Sequence, residues 1–168
     1  MQPHIPQTPA PLKRRATDDE VYMALALEQA EIAAELGEVP IGAIVVNDDG
    51  LVATGYNRRE IDHDPSAHAE FIALTAASHN LGRWRLSDCT VYVTLEPCPM
   101  CAGLMQQARI KRCVYAAPDP KAGAVGSLYR LHDDERLNHS FQVSTGVLEG
   151  ESSIMLKDFF SQLRKAKS

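Results

Sequence analysis

The chain predicts an α/β fold, a three-layer α/β/α sandwich around a central mixed five-stranded sheet. Three observations lead there. An opening pair of strand-like segments is joined by a short turn into a hairpin. Beyond the hairpin, strand and helix patterns alternate, as they do where helices flank a sheet. A length of 168 residues suits one domain with one sizeable core.

Residues 1–16 carry Pro3, Pro6, Pro9 and Pro11, hold no regular helix and have little to bury, so they read as a flexible N-terminal arm. Lys13-Arg14-Arg15 in that arm could touch a polyanion, but a plain disordered tail is the better reading. Residues 17–168 read as a single domain. Thr17-Asp18-Asp19-Glu20 has capping-box spacing and starts a helix. Met23, Leu27, Ala30 and Ala34 share one face of that helix, and Leu25, Ile32 and Leu36 lie roughly opposite, so it is expected to be sandwiched between the sheet and a further layer. Gly37 ends it.

Ile41 to Val46 reads as a buried strand, Asn47-Asp48-Asp49-Gly50 as a turn, and Leu51 to Gly55 as the returning strand. Asp64-Pro65 breaks the chain before a helix over 67–78. Thr90 to Leu95 is a third strand, rich in β-branched residues. Pro97 and Pro99 end it, and Pro99 opens a helix reaching about Gln107. Strands follow over 112–116 and 143–147. A closing helix spans 151–165, with Ile154, Phe159 and Leu163 among its apolar residues. No internal repeat is present.

Composition narrows the function classes. A net charge of −5 argues against a generic nucleic-acid coat, and no DNA partner is expected. Local basic patches remain at Arg109, Lys111 and Arg112 and in the tail from Arg164 to Lys167, each of which alone reads as solvated surface charge. No apolar run reaches membrane-spanning length, and the first six residues lack the pattern of a signal peptide. Two of the four cysteines form a Cys-x-x-Cys pair, which in a chain of this kind points to metal or redox chemistry and to a reducing, cytoplasmic setting.

The chemistry concentrates in His68-Ala69-Glu70 and Pro97-Cys98-Pro99-Met100-Cys101. One imidazole and two thiols supply three ligands to a tetrahedral zinc and leave the fourth position for water, the catalytic rather than the structural pattern. Glu70 beside the imidazole then shuttles the proton of that water. Both segments fall where a loop feeds a helix N-terminus, whose partial positive charge favours thiolates. For Glu70 to reach the centre from two residues beyond His68, both must lie in the helix entry or first turn. Other readings exist for the parts taken singly. Cys98 and Cys101 could be a redox pair, or half of a four-ligand site completed by Cys89 and Cys113. The redox reading leaves His68 and Glu70 without a purpose, and Cys89 and Cys113 sit in strand contexts that bury thiols. Together the set favours one catalytic Zn2+ per subunit.

These motifs match the H-x-E…P-C-x-x-C pattern of zinc nucleobase deaminases. The chain resembles the bacterial tRNA adenosine deaminases of the cytidine/nucleotide deaminase superfamily over roughly residues 18–165. The resemblance extends through Glu38 to Ala43, Gly55-Tyr56-Asn57, His63 to Glu70, Tyr92 to Cys98, Lys121 to Ser127 and Asp158-Phe159-Phe160. It implies a cytidine deaminase-like fold, a homodimer, and conversion of the wobble adenosine of a tRNA anticodon stem-loop to inosine. It implies further that hydroxide on the zinc attacks C6, that Asn57 hydrogen-bonds the flipped base and that the backbone of Ala69 helps place it. Asp119 would contact the RNA, with Pro40 and Phe159 at pocket or RNA-facing positions. A guanine or cytosine deaminase acting on a free base shares the zinc motifs and stands as the alternative. A catalytically dead RNA-binding subunit would have no need of Glu70.

Overall fold

Thr17 starts the first helix. Its hydroxyl accepts from the Glu20 backbone N–H, and Asp18, Asp19 and Glu20 occupy the first turn, where negative charge suits the helix dipole. The computed structural model describes residues 16–168, in which this helix is α1, Asp18–Glu35. Of the proline-rich arm only Ala16 falls within the described residues; its prolines and Lys13-Arg14-Arg15 lie outside them. Helix α1 buries Met23, Ala26, Leu27, Ala30 and Ala33, an i, i+3, i+4, i+7 stripe whose alanines let the helix sit close to the sheet. The further layer expected on its opposite side is absent among the described residues: Ile32 is 37% and Leu36 50% exposed. The stripe ends on Ala33 rather than Ala34, and α1 is an outer layer with one buried face.

The five strands are β1 (Gly42–Asn47), β2 (Gly50–Tyr56), β3 (Thr90–Leu95), β4 (Arg112–Ala117) and β5 (Gln142–Thr145), in the order β2-β1-β3-β4-β5. β1 runs antiparallel to both β2 and β3, whereas β3, β4 and β5 run parallel, so the sheet is mixed as expected. Strand alternation then sorts the core. Ile44, Tyr92 and Val114 face α1, and Val45, Val91 and Cys113 face the other side with Leu74 and Met105. Helices α2 (Ala69–Leu81) and α3 (Pro99–Ala108) supply that second layer. Helix α4 (Glu149–Lys167) lies over β3 and β4, and its one buried residue, Ser152, donates its hydroxyl to the Thr94 carbonyl at 2.6 Å.

A polar knot ties the first layer to the sheet. Arg112 on β4 grips both oxygens of Asp19 at 2.9 and 2.7 Å, and the Tyr92 hydroxyl donates to the same carboxylate at 2.7 Å. Among the described residues no helix is long and apolar enough to cross a membrane. Strand β3 therefore stands where the antiparallel hairpin meets the parallel strands. In open α/β sheets ligands gather at the carboxyl ends of strands where the order changes, and the chain leaving β3 there is Glu96-Pro97-Cys98.

Candidate active site

His68 is the N-cap of α2 and Cys98 the N-cap of α3, and neither side chain makes a capping hydrogen bond. Pro99 occupies the first turn of α3, where its missing N–H costs nothing, and Cys101 lies one turn into that helix. The glycine at 55 lets α2 settle against the hairpin, since a Cβ there would overlap the Ala69 carbonyl. The two helix entries thus converge, and His68 Nδ1 stands 3.6 Å from each of the sulfurs of Cys98 and Cys101.

This spacing fits zinc. Sulfur at about 2.3 Å and nitrogen at about 2.05 Å from one tetrahedral centre stand about 3.6 Å apart. Among the described residues, His68, Cys98 and Cys101 are the group of histidine, cysteine and carboxylate side chains gathered closely enough to hold a metal ion, and no fourth such ligand joins them. All four cysteines are free thiols, which leaves no Cys98–Cys101 disulfide, and Cys89 and Cys113 are buried away from the group. The donor set is that of a three-ligand catalytic site.

The charges follow from the packing. Hydrogen bonding from Cys101, reinforced by His68, pulls the Cys98 thiol down to about 4, while the Cys98 thiolate and burial push the Cys101 thiol up. Cys98 in turn raises His68 above the usual imidazole range. Glu70 lies in the first turn of α2, as the geometry required, and is 4% exposed. Burial lifts its carboxyl to about 7, a value suited to taking and returning a proton near neutral pH.

A cleft of two adjoining lobes opens on these groups. One, of about 120 Å³, is walled by Val39, Ile41, Asn57 and Ala69; the other, of about 200 Å³, by Leu95, Glu96, Asp119 and Ala122. Ile41, Arg59, His68 and Glu70 border both. The family model for MafB19-like deaminases matches residues 17–164. A tRNA-specific adenosine deaminase of Bacillus subtilis (strain 168) is 48% identical over 151 residues, 90% of this chain and 94% of that protein.

The chain belongs to the tRNA-specific adenosine deaminase family.

A structure from studies of A-to-I editing by tRNA:A34 deaminases at the wobble position superimposes with a TM-score of 0.78 at 43% identity, over 81% of this chain and 99% of that one. A guanine deaminase from Nitrosomonas europaea, 24% identical with a TM-score of 0.75 over 87% of this chain and 86% of its own, shares the fold.

Most of the residues singled out in the sequence line the cleft of this deaminase. His68, Cys98 and Glu70 do so, as do Asn57, Ala69 and Asp119. The Asn57 side chain is engaged at both ends: its amide donates to the Val39 carbonyl at 3.2 Å and its oxygen accepts from the Arg59 N–H at 3.1 Å. Asp119 caps its own loop, accepting from the backbone of Lys121 and Ala122 at 3.0 and 3.2 Å. Pro40 and Phe159 do not reach the cleft walls. Pro40 is buried between the lining residues Val39 and Ile41. Phe159 stacks edge-on against Phe160, and it is Phe160 that lines a groove of about 430 Å³ with Lys121, Lys157 and Arg164. Sequence reading gave no role to Arg59, which follows the motif asparagine by two, or to Glu96, an acid at the end of an apolar strand immediately before the first ligand cysteine.

Proposed function

We propose that the protein hydrolytically deaminates the wobble adenosine of a tRNA anticodon to inosine. The observation carrying this reading is the desolvated Glu70 carboxyl at the floor of a cleft beside a three-ligand metal set, in a chain of this family. Zinc held by His68, Cys98 and Cys101 supplies, when bound, Lewis-acid activation of the attacking water. Glu70 takes a proton from that water as its oxygen bonds to C6, hands it to the ring nitrogen N1, and delivers the second proton to the departing amine, which leaves as ammonia. The buried position of Glu70 keeps bulk water from competing for those protons.

Asn57 and the backbone of Ala69 wall the inner lobe, where they hold the flipped base, and Asp119 meets the RNA at the outer lobe. From there the strand runs along the groove of Lys121, Lys157 and Arg164, with Phe160 as an apolar platform. Residues 17–168 act as one deaminase domain. The protein works as a homodimer in the cytoplasm; the apolar groove between α2 and α3, bordered by Leu74, Leu104 and the 62%-exposed Trp84, offers surface for pairing.

The test is incubation of zinc-loaded protein with an anticodon stem-loop carrying adenosine at the wobble position, read by mass, beside free guanine and cytosine. Inosine in the stem-loop supports the reading. Turnover of a free base with none in the RNA would replace it with the nucleobase alternative.

A further inference from the structure

Glu96 leaves β3 two residues before Cys98 and is 2% exposed. Its carboxylate points into the loop that follows β4. Oε1 accepts the Asp119 N–H at 3.1 Å and the Ser127 hydroxyl; Oε2 accepts the Ser127 N–H at 3.0 Å and the Val125 N–H at 3.3 Å. Four donors fill the roughly four acceptor positions a carboxylate offers. The loop wraps this anion closely, since a Cβ on Gly123 would overlap the carboxylate. A backbone bond from the Ala124 N–H to the Pro97 carbonyl, 2.8 Å, pins the same loop beside the first ligand cysteine.

The loop organised in this way carries Asp119 and Ala122, which wall the cleft at Cys98 and Glu70, and Lys121, which lines the neighbouring basic groove. We infer that Glu96 is a positioning residue: it is the template on which residues 119–127 fold, and through them it sets how Asp119 and Lys121 meet the substrate RNA. The inference rests on the RNA-editing reading above. An amide is a poor replacement for the carboxylate here, because the three backbone partners can only donate and the Ser127 hydroxyl alone could turn to accept. A glutamine at 96 turns its own N–H groups toward buried donors and leaves them unpaired.

The test uses the zinc-loaded full chain and the anticodon stem-loop, comparing wild type with Glu96→Gln, Asp119→Ala and the double variant. Glu96→Gln is expected to raise KM and the stem-loop Kd about tenfold, the equivalent of one lost charge-assisted hydrogen bond, with kcat within about threefold of wild type and zinc unchanged. The double variant should bind better than the product of the two single effects predicts, since part of what Glu96 holds in place is the Asp119 contact. Ser127→Ala, which deletes one of the four donors and spares the acid, should shift KM in the same direction by less.

Three results would overturn the inference: unchanged KM and Kd in Glu96→Gln, multiplied effects in the double variant, or loss of zinc with a fall in kcat at constant KM. The last would mean that Glu96 merely supports the ligand strand. Wild type inert on the stem-loop would remove the functional reading and the inference with it. Active wild type with indifferent variants removes the inference alone.

Discussion

His68 and Cys98 hold the same station in two different helices: each is the N-cap, each leaves its helix uncapped, and their ligand atoms stand 3.6 Å apart. An N-cap side chain ordinarily folds back on its own first turn. Here both are released from that task, so the spacing of the ligands is set by the packing of α2 and α3 on the sheet. Each ligand thus sits at the end of a helix that the sheet holds in place.

Metal removal should therefore abolish turnover without unfolding the domain. Chelated protein is expected to keep its far-ultraviolet circular dichroism and to melt at a lower temperature, because an ion that binds only the folded state stabilises it. Cys101→Ser should bring zinc well below one per chain by elemental analysis. Full zinc in that variant would remove Cys101 from the ligand set.

Replacing Glu70 by glutamine keeps size and removes the carboxyl proposed to shuttle the protons. The expected loss in kcat is about 10²–10⁴-fold, the range for a general acid–base group, with zinc held near one per chain. Elemental analysis decides the role: metal lost together with activity would make Glu70 a ligand rather than a shuttle.

Asp19 predicts an acid limb in stability. Hydrogen bonds from Arg112 hold its carboxyl below the usual range, so its contribution is present above the unfolded value near 4 and disappears as pH falls through the lower folded value. Asp19→Asn should cost about 1 kcal/mol at neutral pH, a figure that allows for the partial exposure of the pair. The deficit should shrink as the buffer is taken below pH 4, which urea titrations at several pH values measure. An equal deficit at all pH values would show that packing, not charge, holds α1 to β4.

The basic groove predicts a salt effect. Lys157→Gln with Arg164→Gln should weaken stem-loop binding and reduce the slope of log K against log[salt] by about 1.4, two phosphate contacts at roughly 0.7 each for single strands. Anisotropy titrations between low and moderate salt give that slope. If it does not change, the RNA leaves the cleft by another route.

The metal set was legible because its spacing is local: Cys98 and Cys101 flank one helical turn, and His68 and Glu70 share another. The strand over 90–95 was legible from its β-branched run, and the mixed sheet from hairpin followed by alternation. What escaped was set by distant chain. Three of the four donors to Glu96 are backbone N–H groups 23 to 31 positions downstream, which no side-chain pattern encodes. The resemblance names Phe159, and on a helix that buries only Ser152 it is the neighbouring Phe160 that lines the basic groove. The exposed Ile32 and Leu36 misled for a related reason: an apolar second face suggests a cover, and α1 has none among the described residues.

Because β1 runs opposite to β3, the bend at Asp48-Asp49 closes the hairpin at the pole away from the cleft, about six residues or 20 Å along the strand. A tether to a second protein, or a reporter peptide spliced into that bend, would hang clear of the entering nucleic acid. Fusion at α4 would instead crowd the groove beside it.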